Sequence, residues 1–176
     1  MLNSKKTVVV YRSKTGFTKN YACWLAKRLN CTILEGEKTN INDLADYDTI
    51  IYGSGLYASG ISGIKLITKN FERLKEKRLI VFAVGASPAR KEIIPELKTA
   101  NIPAEQQDKI EFYYLRGGFD YNRLSPFYKL LMQLKKRQLQ NVKEPDADTK
   151  GMLASYTHPL DFTAEKHLEP IIQSLL

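Results

Sequence analysis

Cysteine is scarce in this chain: Cys23 and Cys31 are the only two among 176 residues. They form neither a CxxC pair nor a zinc-ligand spacing, so no disulfide framework or zinc module is expected. Both read as small apolar fillers in a reducing compartment. Histidine is as rare, and His158 and His167 carry no carboxylate–histidine pattern, so no metal is assigned. No apolar run approaches the roughly 18 residues a membrane-spanning helix needs. The opening residues Met1 to Lys6 lack the apolar core of a signal peptide, which predicts a cytoplasmic protein. Neither GxxxxGK[ST] nor GxGxxG occurs, which excludes a P-loop hydrolase and the usual dinucleotide fingerprint. No Ser/His/Asp or Cys/His set stands out, so no catalytic side chain is named. Acidic residues are also few: 19 against 27 Lys and Arg, for a net charge of +8. That excess points to an anionic partner. No DNA- or RNA-binding motif accompanies it, so nucleic acid is not expected.

What is present alternates. Thr7–Arg12 carries three valines in a row, the pattern of a strand buried on both faces. Tyr21, Ala22, Leu25 and Leu29 then recur at helical spacing within 18–30. Strands are predicted over 31–34, 49–53, 78–84 and 110–115. Ile64, Ile67, Phe71 and Leu74 mark a second helix, and 91–101 a third that contains Pro95. Ser125-Pro126 reads as the cap and first position of a helix running to about Leu139. Residues 144–150 read as a polar link, and 164–176 as the last helix. Strands alternating with helices predict one α/β domain over 1–176, with a doubly wound parallel sheet of five strands. A basic amphipathic segment at about 119–141 is inserted after or within the fifth strand.

In such a sheet, ligands sit beyond the carboxyl ends of the strands. The first strand empties into Ser13-Lys14-Thr15-Gly16-Phe17-Thr18. Three hydroxyls, a glycine that lets backbone N–H groups converge and a helix N-terminus together suit a phosphate. Taken alone, the hexapeptide reads equally as a capped helix start.

S-K-T-G-F-T resembles the [ST]-x-T-G-x-T phosphate loop of the flavodoxin family, and it stands where that family has it. The loops after the third and fourth strands, Ser54-Gly55-Leu56-Tyr57 and Val84-Gly85-Ala86-Ser87, fall where flavodoxins grip the isoalloxazine ring. The stretches LRGGFDYNRLSPFYKLLMQLKKR and PDADTKGMLASYTHPLDF are similar to the same region of flavodoxin-like, menaquinone-dependent protoporphyrinogen oxidases. The resemblance implies strand order 2-1-3-4-5 and FMN as cofactor. Its phosphate would lie on Thr15, Thr18 and the amides of 14–18, and its ring against 54–57 and 84–87. It also implies a redox partner: a quinone, a tetrapyrrole or an electron-transfer protein. An FMN-dependent oxidoreductase is the first reading, a flavodoxin-type electron carrier the second and a flavin-free interaction protein the third. The family's pure electron carriers are strongly acidic, and this chain is not. Tyr57 is placed to stack on the ring, while the second loop has no aromatic; Phe119 or Tyr121 is the expected cover for that side. Gly55 reads equally as a hinge beside the ring and as a turn glycine. Trp24 reads as packing.

Phe127, Leu130, Leu131 and Leu134 repeat at helical spacing among Lys129, Lys135, Lys136 and Arg137. Two readings are open for 125–139: a peripheral contact with an anionic membrane at its inner face, or an apolar stripe packed on the sheet edge with its lysines in water.

Overall fold

The computed structural model describes residues 6–57, 59–88, 90 and 92–176, and of Asp148 only the backbone. Lys91, the first residue of the predicted third helix, lies outside the described residues, as do Ala58, Ala89 and the start of the chain, Met1 to Lys5. Four strands run in parallel beside the first: β1 (Thr7–Arg12), β2 (Thr32–Glu35), β3 (Thr49–Tyr57), β5 (Arg78–Gly85) and β6 (Ile110–Arg116). Their order is β2-β1-β3-β5-β6, the predicted 2-1-3-4-5 with its reversal at β1 and β3. A two-residue strand, β4 (Gly60–Ile61), turns back antiparallel on the end of β3.

Strand alternation sorts the apolar side chains onto two faces. Val8, Val10, Ile50, Tyr52 and Val81 pack against the side carrying α2 (Lys65–Thr68), α3 (Phe71–Leu74) and α4 (Ile93–Asn101). Val9, Ile51, Ile80 and Phe82 pack against α1 (Phe17–Leu29) and α7 (Glu169–Leu175). Burial on both sides explains why these strands read as continuous apolar runs.

Several boundaries differ from the expected ones for local reasons. β3 continues through Ser54-Gly55-Leu56-Tyr57 instead of opening into a loop, because β4 pairs with Leu56 and Tyr57. The single helix marked by Ile64 to Leu74 is two short helices, and the last helix is a 3-10 turn (Glu165–Leu168) before α7. Pro95 falls in the first turn of α4, where its missing N–H costs nothing. The polar link contains a helix, α6 (Ala147–Ala154), whose N-terminal Asp146 accepts the Thr149 N–H at 2.8 Å. Cys23 is exposed rather than a filler, and Cys31 packs against the core, where burial raises its thiol pKa. Trp24 meets Tyr21 edge-on at 5.6 Å.

After β6 the chain leaves the sheet and comes back beside its own exit in a separate two-stranded sheet. Gly118–Phe119 (β7) pairs antiparallel with Leu160–Asp161 (β8). Between them stand α5 (Pro126–Gln140) and α6. A Cβ on Gly118 would lie 2.1 Å from the Leu160 carbonyl oxygen and 2.7 Å from the Phe17 ring, so only glycine lets β7, β8 and α1 meet. Tyr21 ties the same corner together: its hydroxyl donates to the Arg116 carbonyl at 2.6 Å and contacts His167 Nδ1 at 2.7 Å.

Candidate functional site

The carboxyl ends of β1, β3 and β5 surround a cavity of about 830 Å3, inside the ~300–1,000 Å3 range of small-molecule sites. Its wall holds Thr15, Phe17 and Thr18 from the first loop, Gly55, Leu56 and Tyr57 from β3, and Val84, Gly85, Ala86 and Ser87 from the end of β5. Three segments singled out in the sequence are thus brought to one place. Four residues among those segments do not line it. Ser13 closes the first loop, its Oγ accepting the Gly16 N–H at 3.1 Å. Lys14 reaches over it from outside, Gly16 shapes the turn and Ser54 is fully buried.

Gly16 has φ 96°, a left-handed conformation that disfavours any side chain. It stands at the N-terminus of α1, where no side chain caps the first turn and no acidic residue sits. The free N–H groups of that turn, the positive end of the helix dipole and the Thr15 and Thr18 side chains form a donor set for an anion. The Arg123 guanidinium stands against the same loop. Its Nη1 donates to the Thr15 carbonyl at 3.0 Å, and its Nε pairs with Asp120 at 3.1 Å.

The aromatic wall differs from the expected one. Tyr57 lies over Gly55, within 3.3 Å of where a Cβ would stand, so Gly55 is a covered strand residue and not a turn glycine. The Tyr57 ring packs against Tyr128 of α5, centroids 4.8 Å apart. The Lys14 ammonium caps both rings, at 4.9 Å from Tyr57 and 4.5 Å from Tyr128. Burial pushes the Tyr57 hydroxyl up to about 12. Phe119 is in the cavity wall. Tyr121 instead packs on Tyr156 at 5.4 Å and accepts from Gln133 at 2.9 Å, in the cluster that holds α5 to the body. Tyr114 steadies the third segment: its hydroxyl donates to the Ser87 carbonyl at 2.7 Å.

Sequence reasoning missed Tyr128 and Arg123 as neighbours of these loops. The aromatic-basic insert was the only signal, and nothing in it says which residue turns inward.

A second cavity, about 680 Å3, adjoins the first and shares Ala86, Ser87, Ile93, Glu96, Phe119 and Met152 with it. Its outer wall carries Arg116, whose guanidinium stacks 3.6 Å from the Phe162 ring centroid and whose buried Nε has no partner. Among the described residues no group of His, Cys, Asp or Glu is placed to hold a metal ion.

A five-stranded parallel sheet of this order, with an uncapped helix N-terminus after its first strand and two further strand ends over the same cavity, defines a flavodoxin-like α/β protein. The chain belongs to the flavodoxin-domain family, whose family model matches residues 8–146. FMN is the cofactor of that family, and the uncapped N-terminus of α1 with its adjoining cavity fits it. Similar solved structures include a flavoprotein in complex with FMN from Lactobacillus acidophilus, 18% identical, covering 64% of this chain and 93% of that one at a TM-score of 0.42. The Trp repressor binding protein of Bacillus subtilis is 17% identical, covering 64% and 83% at 0.47. Two-electron reduced Megasphaera elsdenii flavodoxin is 15% identical, covering 62% and 85% at 0.44. No curated protein matches the chain.

Proposed function

We propose that this chain is an FMN-dependent oxidoreductase with a small-molecule substrate of its own. FMN, when bound, supplies the transfer of hydride or single electrons. The chain supplies position and surroundings. The amides of 14–18 with Thr15 and Thr18 hold the phosphate, and Arg123 adds a positive charge beside them. The strand ends at 55–57 and 84–87 form the bed for the ring, with Tyr57 and Tyr128 as its aromatic wall. The observation that carries an enzyme over a carrier is the second cavity: it opens beside the first, lined by Arg116, Phe119 and Phe162. Glu92 and Glu96 also line it, but the unpartnered Nε of Arg116 stands beside Phe162, and with Phe119 these suit one anionic group on a largely apolar substrate. A protoporphyrinogen-like reductant with a quinone acceptor is the specific form of this reading.

The test is anaerobic turnover of FMN-loaded protein with protoporphyrinogen IX and a menaquinone analogue. Formation of porphyrin with quinone reduction, lost in Arg116→Ala, is the expected result. Protein that exchanges electrons with a reductase while converting neither compound is a carrier, and the substrate reading then fails.

The aromatic wall has its own measurement. Tyr128→Ala removes one ring of a pair worth about 0.5–1.5 kcal/mol beyond its burial. FMN affinity should fall by roughly twofold to tenfold, and flavin fluorescence in the complex should rise. Affinity and quenching that match the wild type would place Tyr128 outside the flavin's surroundings.

A further inference from the structure

An amphipathic helix on a soluble protein ordinarily buries its apolar stripe. α5 does the reverse, and none of its residues is buried. Phe127, Leu130, Leu131 and Leu134 are 64%, 62%, 43% and 49% exposed. The helix is held to the body by its other side. Lys129 stands 5.9 Å over the Tyr121 ring, Lys136 5.2 Å over Tyr156, and the Tyr156 hydroxyl donates to the Met132 carbonyl at 2.7 Å. Cation–π contacts and hydrogen bonds turn the lysines inward and leave the leucines to the solvent. An apolar patch this continuous on a soluble domain marks an interaction surface.

Charge says what covers it. From Tyr121 to Lys143 the chain has no Asp or Glu; Arg123 is paired with Asp120 and Lys129 and Lys136 face the body, which leaves Lys135, Arg137 and Lys143 as the outward cations. At helical spacing Lys135 and Arg137 fall on either side of the exposed stripe. A second copy of the chain would bring the same cations face to face. An anionic lipid surface meets both features, apolar acyl chains below and phosphates level with the flanking cations. Among the described residues no helix is long and apolar enough to cross a membrane. We propose that α5 lies in the headgroup region of an anionic bilayer, with Phe127, Leu130 and Leu134 inserted, Leu131 at the edge of the first cavity and the flanking cations on the lipid phosphates. The proposal is independent of the cofactor. It would set the wall that Tyr128, Leu131, Met132 and Lys135 lend to the first cavity beside the membrane, within reach of a lipid-dissolved redox partner.

The test uses the full chain and vesicles of phosphatidylcholine with and without phosphatidylglycerol, at low and high salt. Wild-type protein should sediment with the anionic vesicles and be released by salt. Leu130→Ser with Leu134→Ser should weaken partitioning at least tenfold with the melting temperature unchanged. Arg137→Glu with Lys143→Glu should weaken it by about fivefold or more per cation. Absence of binding at low salt overturns the proposal, as does equal binding to neutral vesicles. So does unaltered binding by the serine variant, or a large drop in its melting temperature, which would show the stripe to be packed. A dimer that the serine variant dissolves, with no vesicle binding, assigns the face to a second copy and overturns it too.

Discussion

Thr15→Val combined with Thr18→Val should weaken FMN binding by roughly a hundredfold or more. Each substitution keeps the side-chain shape and deletes one hydroxyl. A hydrogen bond to a charged group contributes about 1.5–3 kcal/mol, and both residues line the cavity behind the N-terminus of α1. The backbone donors and Arg123 remain, so binding should weaken rather than vanish. Thr18 is itself buried, so the melting temperature of the cofactor-free variant is the necessary control. Calorimetric titration of the double variant with FMN, and with riboflavin lacking the phosphate, gives the answer. Affinity for FMN should fall toward that for riboflavin. A variant that binds FMN as the wild type does would remove 13–18 from the phosphate site.

The second large effect concerns two glycines on either side of α5 that should respond with opposite signs. Gly118→Ala forces a methyl group to within 2.1 Å of the Leu160 carbonyl and 2.7 Å of Phe17. Overpacking of this kind costs about 1–3 kcal/mol, more where backbone must move. Gly151 lies within α6 with nothing near the place a Cβ would occupy. Gly151→Ala should stabilise by about 0.5–1 kcal/mol through helix propensity. In a protein of this size each kcal/mol moves Tm by about 2–4 °C. Thermal melts of the two variants should diverge on either side of the wild type. Parallel shifts would mean that the β7–β8 junction is looser than its geometry implies.

The phosphate loop could be read from sequence because its chemistry is local. Hydroxyls, a glycine and a helix start are consecutive residues, and a valine run immediately before them places the loop at a strand end. The rest of the site depends on distance. Tyr128 reaches Tyr57 across 71 positions, and Arg123 reaches Thr15 across 108. No periodicity encodes either meeting. The apolar stripe of α5 was visible as a period, but a period does not say which side docks. Here lysine–tyrosine contacts outweigh the leucines' preference, because the body offers rings and carbonyls at that place, not an apolar groove. α6 escaped notice since A-D-T-K-G-M-L-A has no apolar repeat, and its one signal was a capping aspartate. The end of β3 reads as loop from Gly55 and Gly60, though a strand tolerates glycine where a ring lies over it: a Cβ on Gly55 would sit 3.3 Å from the Tyr57 ring.

The pairing of Gly118–Phe119 with Leu160–Asp161 makes residues 120–159 a cassette. The excursion leaves and re-enters the domain at hydrogen-bonded neighbours, as the arms of a hairpin do. Replacing it by a two-residue turn would leave the five-stranded sheet and both of its cores intact. Holding so long a loop closed costs only about 2–3 kcal/mol more than a tight turn, because the penalty grows with the logarithm of length. A parent α/β domain can therefore accept, lose or exchange such a segment without refashioning its interior. What changes with the cassette is the outer wall of the cavity and the surface the molecule turns toward its surroundings. Grafting this segment onto a related domain that lacks it is a route to transferring those two properties together.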